Sequence, residues 1–182
     1  MSRMTAPDDI LDFWFAPTSE ANWWRRSDAF DAQIATRFGA LHEAAARCEL
    51  WPWRTSAAGR LAEIIVLDQF SRNLHRLSAR AFAADPLALA LAQSAVALGC
   101  ERELDDRRRV FMLMPYMHSE SRVIHAVALQ LFADAPAGNL EYERRHKAVI
   151  DRFGRYPHRN AVLGRASTPE ELAFLETPGS SF

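Results

Sequence analysis

Lysine is nearly absent from this chain: of its 22 basic residues only Lys147 is not an arginine. Arginine's planar fork suits carboxylates and phosphates, but the base composition of a genome produces the same bias, so the bias itself carries no functional weight. Cysteine is scarce too. Cys48 and Cys100 have no neighbours that would activate a thiolate, which excludes a disulfide framework and fits a reduced, cytoplasmic setting. The longest uncharged run, Pro86 to Cys100, is too short to span a bilayer and contains Gln93 and Ser94, and the opening MSRMTAPDDILDFWF lacks a basic-then-apolar signal pattern. No membrane partner is expected. Net charge is −1 and the sequence pI about 6.6, which argues against a nucleic-acid binder. Strand signals, a phosphate-binding glycine loop, a dinucleotide fingerprint and a serine nucleophile elbow are all missing, so no cofactor is implied.

What is present is helical grammar. With 182 residues, 49% of them hydrophobic, the chain can bury one sizeable core without disulfides or metal. It reads as one all-α domain over 1–176, with a polar, loose tail at 177–182. Asp8 is placed to cap a helix through Phe15 that Pro17 ends, and a second runs from Asp28 to Cys48 with Phe30, Ile34, Phe38 and Leu41 on one side. Thr55 or Ser56 caps a central helix that frays after Asn73. Asp85-Pro86 opens the next, with Gly99 as its stop. Asp105 starts another that Pro115 interrupts, and Ser119 restarts it to about Ala133 with Val123, Val127 and Leu131 inward. A loop at Pro136 to Asn139 leads into a helix over Leu140 to Phe153 ended by Gly154. Thr168-Pro169-Glu170-Glu171 is a capping box for a last helix reaching Leu175. About seven or eight helices result, joined by short links that favour antiparallel neighbours.

The central stretch RLAEIIVLDQFSRNLHRLSAR, Arg60 to Arg80, organises the candidate site. Leu61, Ile64 and Ile65 share a helix face, Asp68 and Arg72 fall in the middle of it, and Val66, Leu67 and Phe70 make most of the rest apolar. A charge on such a face needs a partner or a purpose. Met114 to Glu120 and Arg152 to Asn160 share this mixed character, and the three stretches are expected to meet. Between Arg144 and Arg165 seven basic residues face a single acid, Asp151, while Met1 to Glu43 holds seven acids against four arginines, a pattern that permits local attraction of an anion.

The motifs LDQFSRN (67–73), ARAFAADPLAL (79–89), MPYMHSE (114–120) and RFGRYPHRNAVLGR (152–165) resemble a widespread, mostly bacterial family of uncharacterised helical proteins, a domain of unknown function. ILDFWF (10–15) and STPEELAFL (167–175) fit it as well, so the resemblance spans nearly the whole chain. It implies helix pairs in a tetratricopeptide-like arrangement with a concave groove, and no activity. The positions that match are Asp68, Arg72, Asn73, His118, Glu120, Arg152, His158, Arg159 and Asn160, with Trp14 as an aromatic neighbour. Phe70-Ser71 stands where many members have Phe-Pro.

Three functions stay open on these residues. The leading one is a binding protein whose polar groove accepts an anionic small molecule or a peptide segment: Arg72, Arg152 and Arg159 hold the anion, Asn73 and His158 add polar contacts, and His118, Glu120 and Asn160 orient it. The second is a hydrolase or lyase with His118 as general acid/base and Asp68 or Glu120 as its partner. The third is a purely structural cluster in which Asp68 and Arg72 form a buried pair at helical spacing. No zinc spacing of the helix type is present, so no metal site is assigned. The sequence leaves the oligomeric state unknown.

Overall fold

The computed structural model describes residues 5–136 and 138–180. The first four residues of the N-terminal stretch, Ala137 of the expected 136–139 loop and the last two residues of the expected tail lie outside them. The described residues are all-α and contain no strand. Helices α1 (Pro7–Trp14), α2 (Pro17–Glu20), α3 (Asp28–Ala46), α4 (Ala57–Ile65), α5 (Ser71–Leu74), α6 (Asp85–Ala97), α7 (Asp106–Met117), α8 (Arg122–Ala133), α9 (Asn139–Phe153) and α10 (Pro169–Leu175) follow one another. Eight of them have seven residues or more.

The core is built around α4, and its composition explains why. Residues 61–71 are all buried, so the rod they form is enclosed, as its nearly all-round apolar pattern demands. It packs against α1, α3, α6 and α7. Between α4 and α5 the rod continues as a single π-helical turn, Val66–Phe70, that the helical periodicity did not signal. Such a turn takes up one extra residue without breaking the rod and is frequent at functional sites. Asp68 and Gln69 both lie in it. Trp14 sits in an aromatic layer with Trp23, Phe30, Phe70 and Phe111. Trp24 and Trp51 are exposed. From α6 onward each helix packs on the next: α6 on α7, α7 on α8, α8 on α9.

Several caps differ from expectation, each for a local reason. Asp9, not Asp8, accepts the Ala6 N–H (2.7 Å) at the start of α1, and Pro17 opens α2 as well as following α1. Ser56 caps α4 through the Gly59 N–H (3.1 Å). Helix α3 stops at Ala46 because Cys48 takes a positive φ of 62°, which a right-handed helix cannot contain. Pro115 does not interrupt α7: it lies two residues before the last one, where losing one N–H costs little of the ladder. Ser121, not Ser119, caps α8, which turns the helix so that His125, Ala128 and Phe132 face inward while Val123 and Val127 are exposed. Gly154 does end α9 in the left-handed conformation (φ 72°). After α10, Thr177 and Ser180 hydrogen-bond back to the Phe174 and Leu175 carbonyls (2.6 and 3.0 Å).

Candidate functional site

The three polar stretches converge. The π turn sets Asp68 1% exposed, and His118, the residue just after α7, donates from Nδ1 to Asp68 Oδ1 at 2.7 Å. Gln69 Nε2 donates to the other oxygen, Oδ2, at 2.6 Å. One turn on, Arg72 Nη1 donates to the Asp68 carbonyl (2.7 Å) and stands 3.3 Å from its Oδ1. Burial by itself would raise the Asp68 carboxyl, but His118, Arg72 and the hydrogen bonds from His118 and Gln69 outweigh it and hold the group well below the usual carboxylate range.

Asp85 is the partner that sequence reasoning missed. Expected as an N-cap, it is the first residue of α6, and its carboxylate is claimed by two arginines instead. Arg72 grips it with a fork (Nη1 to Oδ1 3.0 Å, Nη2 to Oδ2 3.1 Å), and Arg159 Nη1 donates to the same Oδ2 at 3.2 Å. The clue lay in charge arithmetic: two buried guanidiniums beside one aspartate require a second acid. Arg159 is held with its guanidinium carbon 4.5 Å from the Phe82 ring centroid and 4.6 Å from that of Tyr156, a cation–π sandwich. Its Nε is buried and has no hydrogen-bond partner among the described residues. Burial, together with Arg72 alongside, lowers the Arg159 pKa, whereas Arg72 is raised because Asp68 and Asp85 overcome the effect of its burial.

The remaining expected residues divide between neighbouring networks. Glu120 accepts the Tyr156 N–H (2.7 Å) and is gripped by Arg165 (2.6 and 2.9 Å), so it ties the segment before α8 to the segment after α9. Arg165 also donates from Nε to Asn160 Oδ1 (2.9 Å), and Asn160 in turn donates to Ser167 (3.0 Å) and Glu171 (3.2 Å). Glu120 and Asn160 therefore belong to a chain of internal hydrogen bonds. His158 lies against the Tyr156 ring, 5.6 Å between centroids, and burial with Arg159 nearby lowers its pKa to about 4. Three expected residues lie apart from the Asp68 cluster. Arg152 pairs with Glu170 (2.8 Å) on an exposed edge, Asn73 donates to Asp31 (2.8 Å), and Trp14 is in the aromatic core.

The groups that do converge are two carboxylates, two guanidiniums and an imidazole, in a cluster sealed toward Asp68 and Arg159. Arg72 and His118 keep part of their side chains open to solvent, 21% and 16%. With Nδ1 committed to Asp68, no hydrogen bond among the described residues engages His118 Nε2. The arrangement can hold an anion on guanidinium N–H groups and can offer an oriented imidazole to whatever is bound.

An all-α chain with a buried rod carrying these charges matches one known family. Residues 10–179 match the family described as bacterial protein of unknown function (DUF924), and the chain belongs to it. Among solved structures it is similar to the protein of unknown function ATU0120 from Agrobacterium tumefaciens, at 38% identity and a TM-score of 0.89 over 93% of this chain and 96% of that one. No curated protein matches. Neither likeness names a tetratricopeptide repeat, so what the motifs implied holds at the level of an all-α fold.

Proposed function

We propose that the chain binds an anionic small molecule, or the carboxylate of a peptide segment, at Arg72 and Arg159. The observation that carries this reading is that two guanidiniums from separate segments share the single carboxylate of Asp85, while Arg159 Nε is buried without an acceptor. A buried N–H donor without a partner costs free energy in the empty protein, and a ligand oxygen that meets it recovers that cost. Arginine's fork favours phosphate and carboxylate over other anions. His118, oriented by Asp68, contacts the same ligand from the α7 side. The cytoplasm is the setting proposed, with two free cysteines in accord. No helix among the described residues is long and apolar enough to cross a membrane.

Calorimetric titration of phosphate, dicarboxylates and acidic peptides tests it. Wild type is expected to bind at least one of them. Arg159→Lys, which keeps charge but loses the fork, is expected to weaken that binding on the order of tenfold, and Arg152→Ala should leave it unchanged. Failure of every anion at millimolar concentration, or equal binding by Arg159→Lys, refutes the reading.

A second reading, a hydrolase or lyase, rests on the Asp68–His118 contact. Asp68 holds Nδ1–H, so a neutral ring presents its Nε2 lone pair as a base. Turnover in a substrate screen, abolished in His118→Ala with the fold retained, would support it. A broad screen without turnover leaves it without support.

A further inference from the structure

A second cluster lies where α3 passes the end of the central rod, and it shares no residue with the site above. His42 of α3 is 5% exposed, and its Nε2 is 2.7 Å from Ser71 Oγ. The Ser71 hydroxyl gives its own hydrogen to the Leu67 carbonyl at 2.5 Å, so it accepts from His42. That hydrogen-bond order puts the imidazole hydrogen on Nε2 and leaves Nδ1 with a bare lone pair. Among the described residues, His42 Nδ1 is buried without a hydrogen-bond partner, and so is His75 Nε2. Both residues line a cavity of about 230 Å³, with Glu43, Arg80, Ala83 and Leu87 among its other walls. One ligand atom from each of His42, Glu43 and His75 lies within 4.8 Å of the others. Two buried imidazole nitrogens without hydrogens to accept, facing one cavity beside a carboxylate, serve no purpose in packing.

We propose that His42, His75 and Glu43 bind a borderline divalent metal ion of the zinc class, with water completing the coordination. Imidazole nitrogens with one carboxylate suit this class, and three protein ligands leave an open position. The Leu67 carbonyl and Ser71 hydroxyl supply the outer-shell hydrogen bonds that orient a ligating histidine. Arg80 donates to Glu43 Oε1 at 2.7 Å, which leaves Oε2 for the metal. Burial keeps both imidazoles below their ordinary pKa, with Arg80 acting in the same direction at both and the charge of His75 adding to it at His42. No spacing marks this site in the chain, because His42 lies on α3 and His75 in the turn after α5, and only the fold brings them together.

Chelator-stripped, tag-free full-length protein titrated with Zn²⁺ by calorimetry, and with Co²⁺ by visible absorption, tests the proposal. Wild type is expected to take up one Zn²⁺ per chain at micromolar concentration and to give Co²⁺ d–d bands of four- or five-coordinate intensity. Glu43→Gln, at an exposed position, and His75→Ala are each expected to lose on the order of tenfold or more in affinity with unchanged circular dichroism. The absence of stoichiometric binding in wild type would overturn it, as would Zn²⁺ affinity that is the same in Glu43→Gln as in wild type.

Discussion

At the residue scale Asp68 is the buried charge that depends most on its partners. A carboxylate that is 1% exposed, bonded by His118 and Gln69 and beside Arg72, is stable only as part of its network. Removing it leaves the buried His118 Nδ1–H and Gln69 amide donors without their acceptor and takes one of two carboxylates from Arg72, which keeps Asp85. Asp68→Ala is therefore expected to cost about 3 kcal/mol or more in chemical denaturation, as breaking one side of a buried pair does. A change under about 1 kcal/mol would mean that water takes the place of the Asp68 carboxylate for His118 and Gln69. The pairing of Asp68 with Arg72 was legible from the four-residue spacing. The role of Asp85 was not, because a residue before proline at a helix start reads as a cap, and only the third dimension brings Arg72 and Arg159 to it.

At the element scale two helical glycines give opposite expectations from one substitution. Gly39 sits inside α3 with open space where a Cβ would stand, so Gly39→Ala is expected to stabilise by about 0.5–1 kcal/mol through helix propensity. Gly59 sits in the first turn of α4, and a Cβ there would collide with the Trp53 carbonyl oxygen. Gly59→Ala should destabilise by about 1–3 kcal/mol despite the same gain in propensity. Urea denaturation of both variants checks the pair, and a stabilising Gly59→Ala would contradict the tight approach of the Trp51–Thr55 turn to α4. Most helices were legible, since their caps and apolar spacing agree: Ser27, Asp105, Thr168 and Gly154 all act as their residue types predict. The errors cluster where tertiary contacts override local signals. Pro115 stays helical within α7, and α8 turns a buried histidine inward in place of two valines, because His125 finds Glu143 at 2.7 Å and the Ser119 carbonyl at 2.8 Å. The π turn is invisible to any pattern of fixed period.

At the scale of the whole molecule, pH should act on stability through buried histidines. His158 is lowered to about 4 by burial and by Arg159, and His146 to about 3, chiefly by burial. An imidazole whose folded pKa lies below its unfolded value near 6.5 takes up its proton in the unfolded state first. Stability is therefore expected to fall as pH drops from about 6.5 toward about 4, with a slope approaching 1.4 kcal/mol per pH unit for each such histidine. Asp68 works in the other direction of charge but the same direction of pH: its lowered carboxyl supports the fold above the unfolded value near 3.9 and loses that contribution only in stronger acid. Denaturant midpoints between pH 7.5 and 4.5 check this, and a flat profile over that range would show that neither histidine is buried as described.

The central claim, an anion seated on Arg72 and Arg159, is tested most directly by the arginine Nε–H resonance of Arg159 in ¹⁵N-edited NMR, assigned by its loss in Arg159→Lys. Because this Nε lies buried without an acceptor, its signal is predicted to shift and saturate as phosphate or a dicarboxylate is added, with the Arg152 signal unmoved. A signal that stays fixed through millimolar concentrations of these anions would contradict the account and leave Asp68, Arg72, Asp85 and Arg159 as a brace for the helical rod.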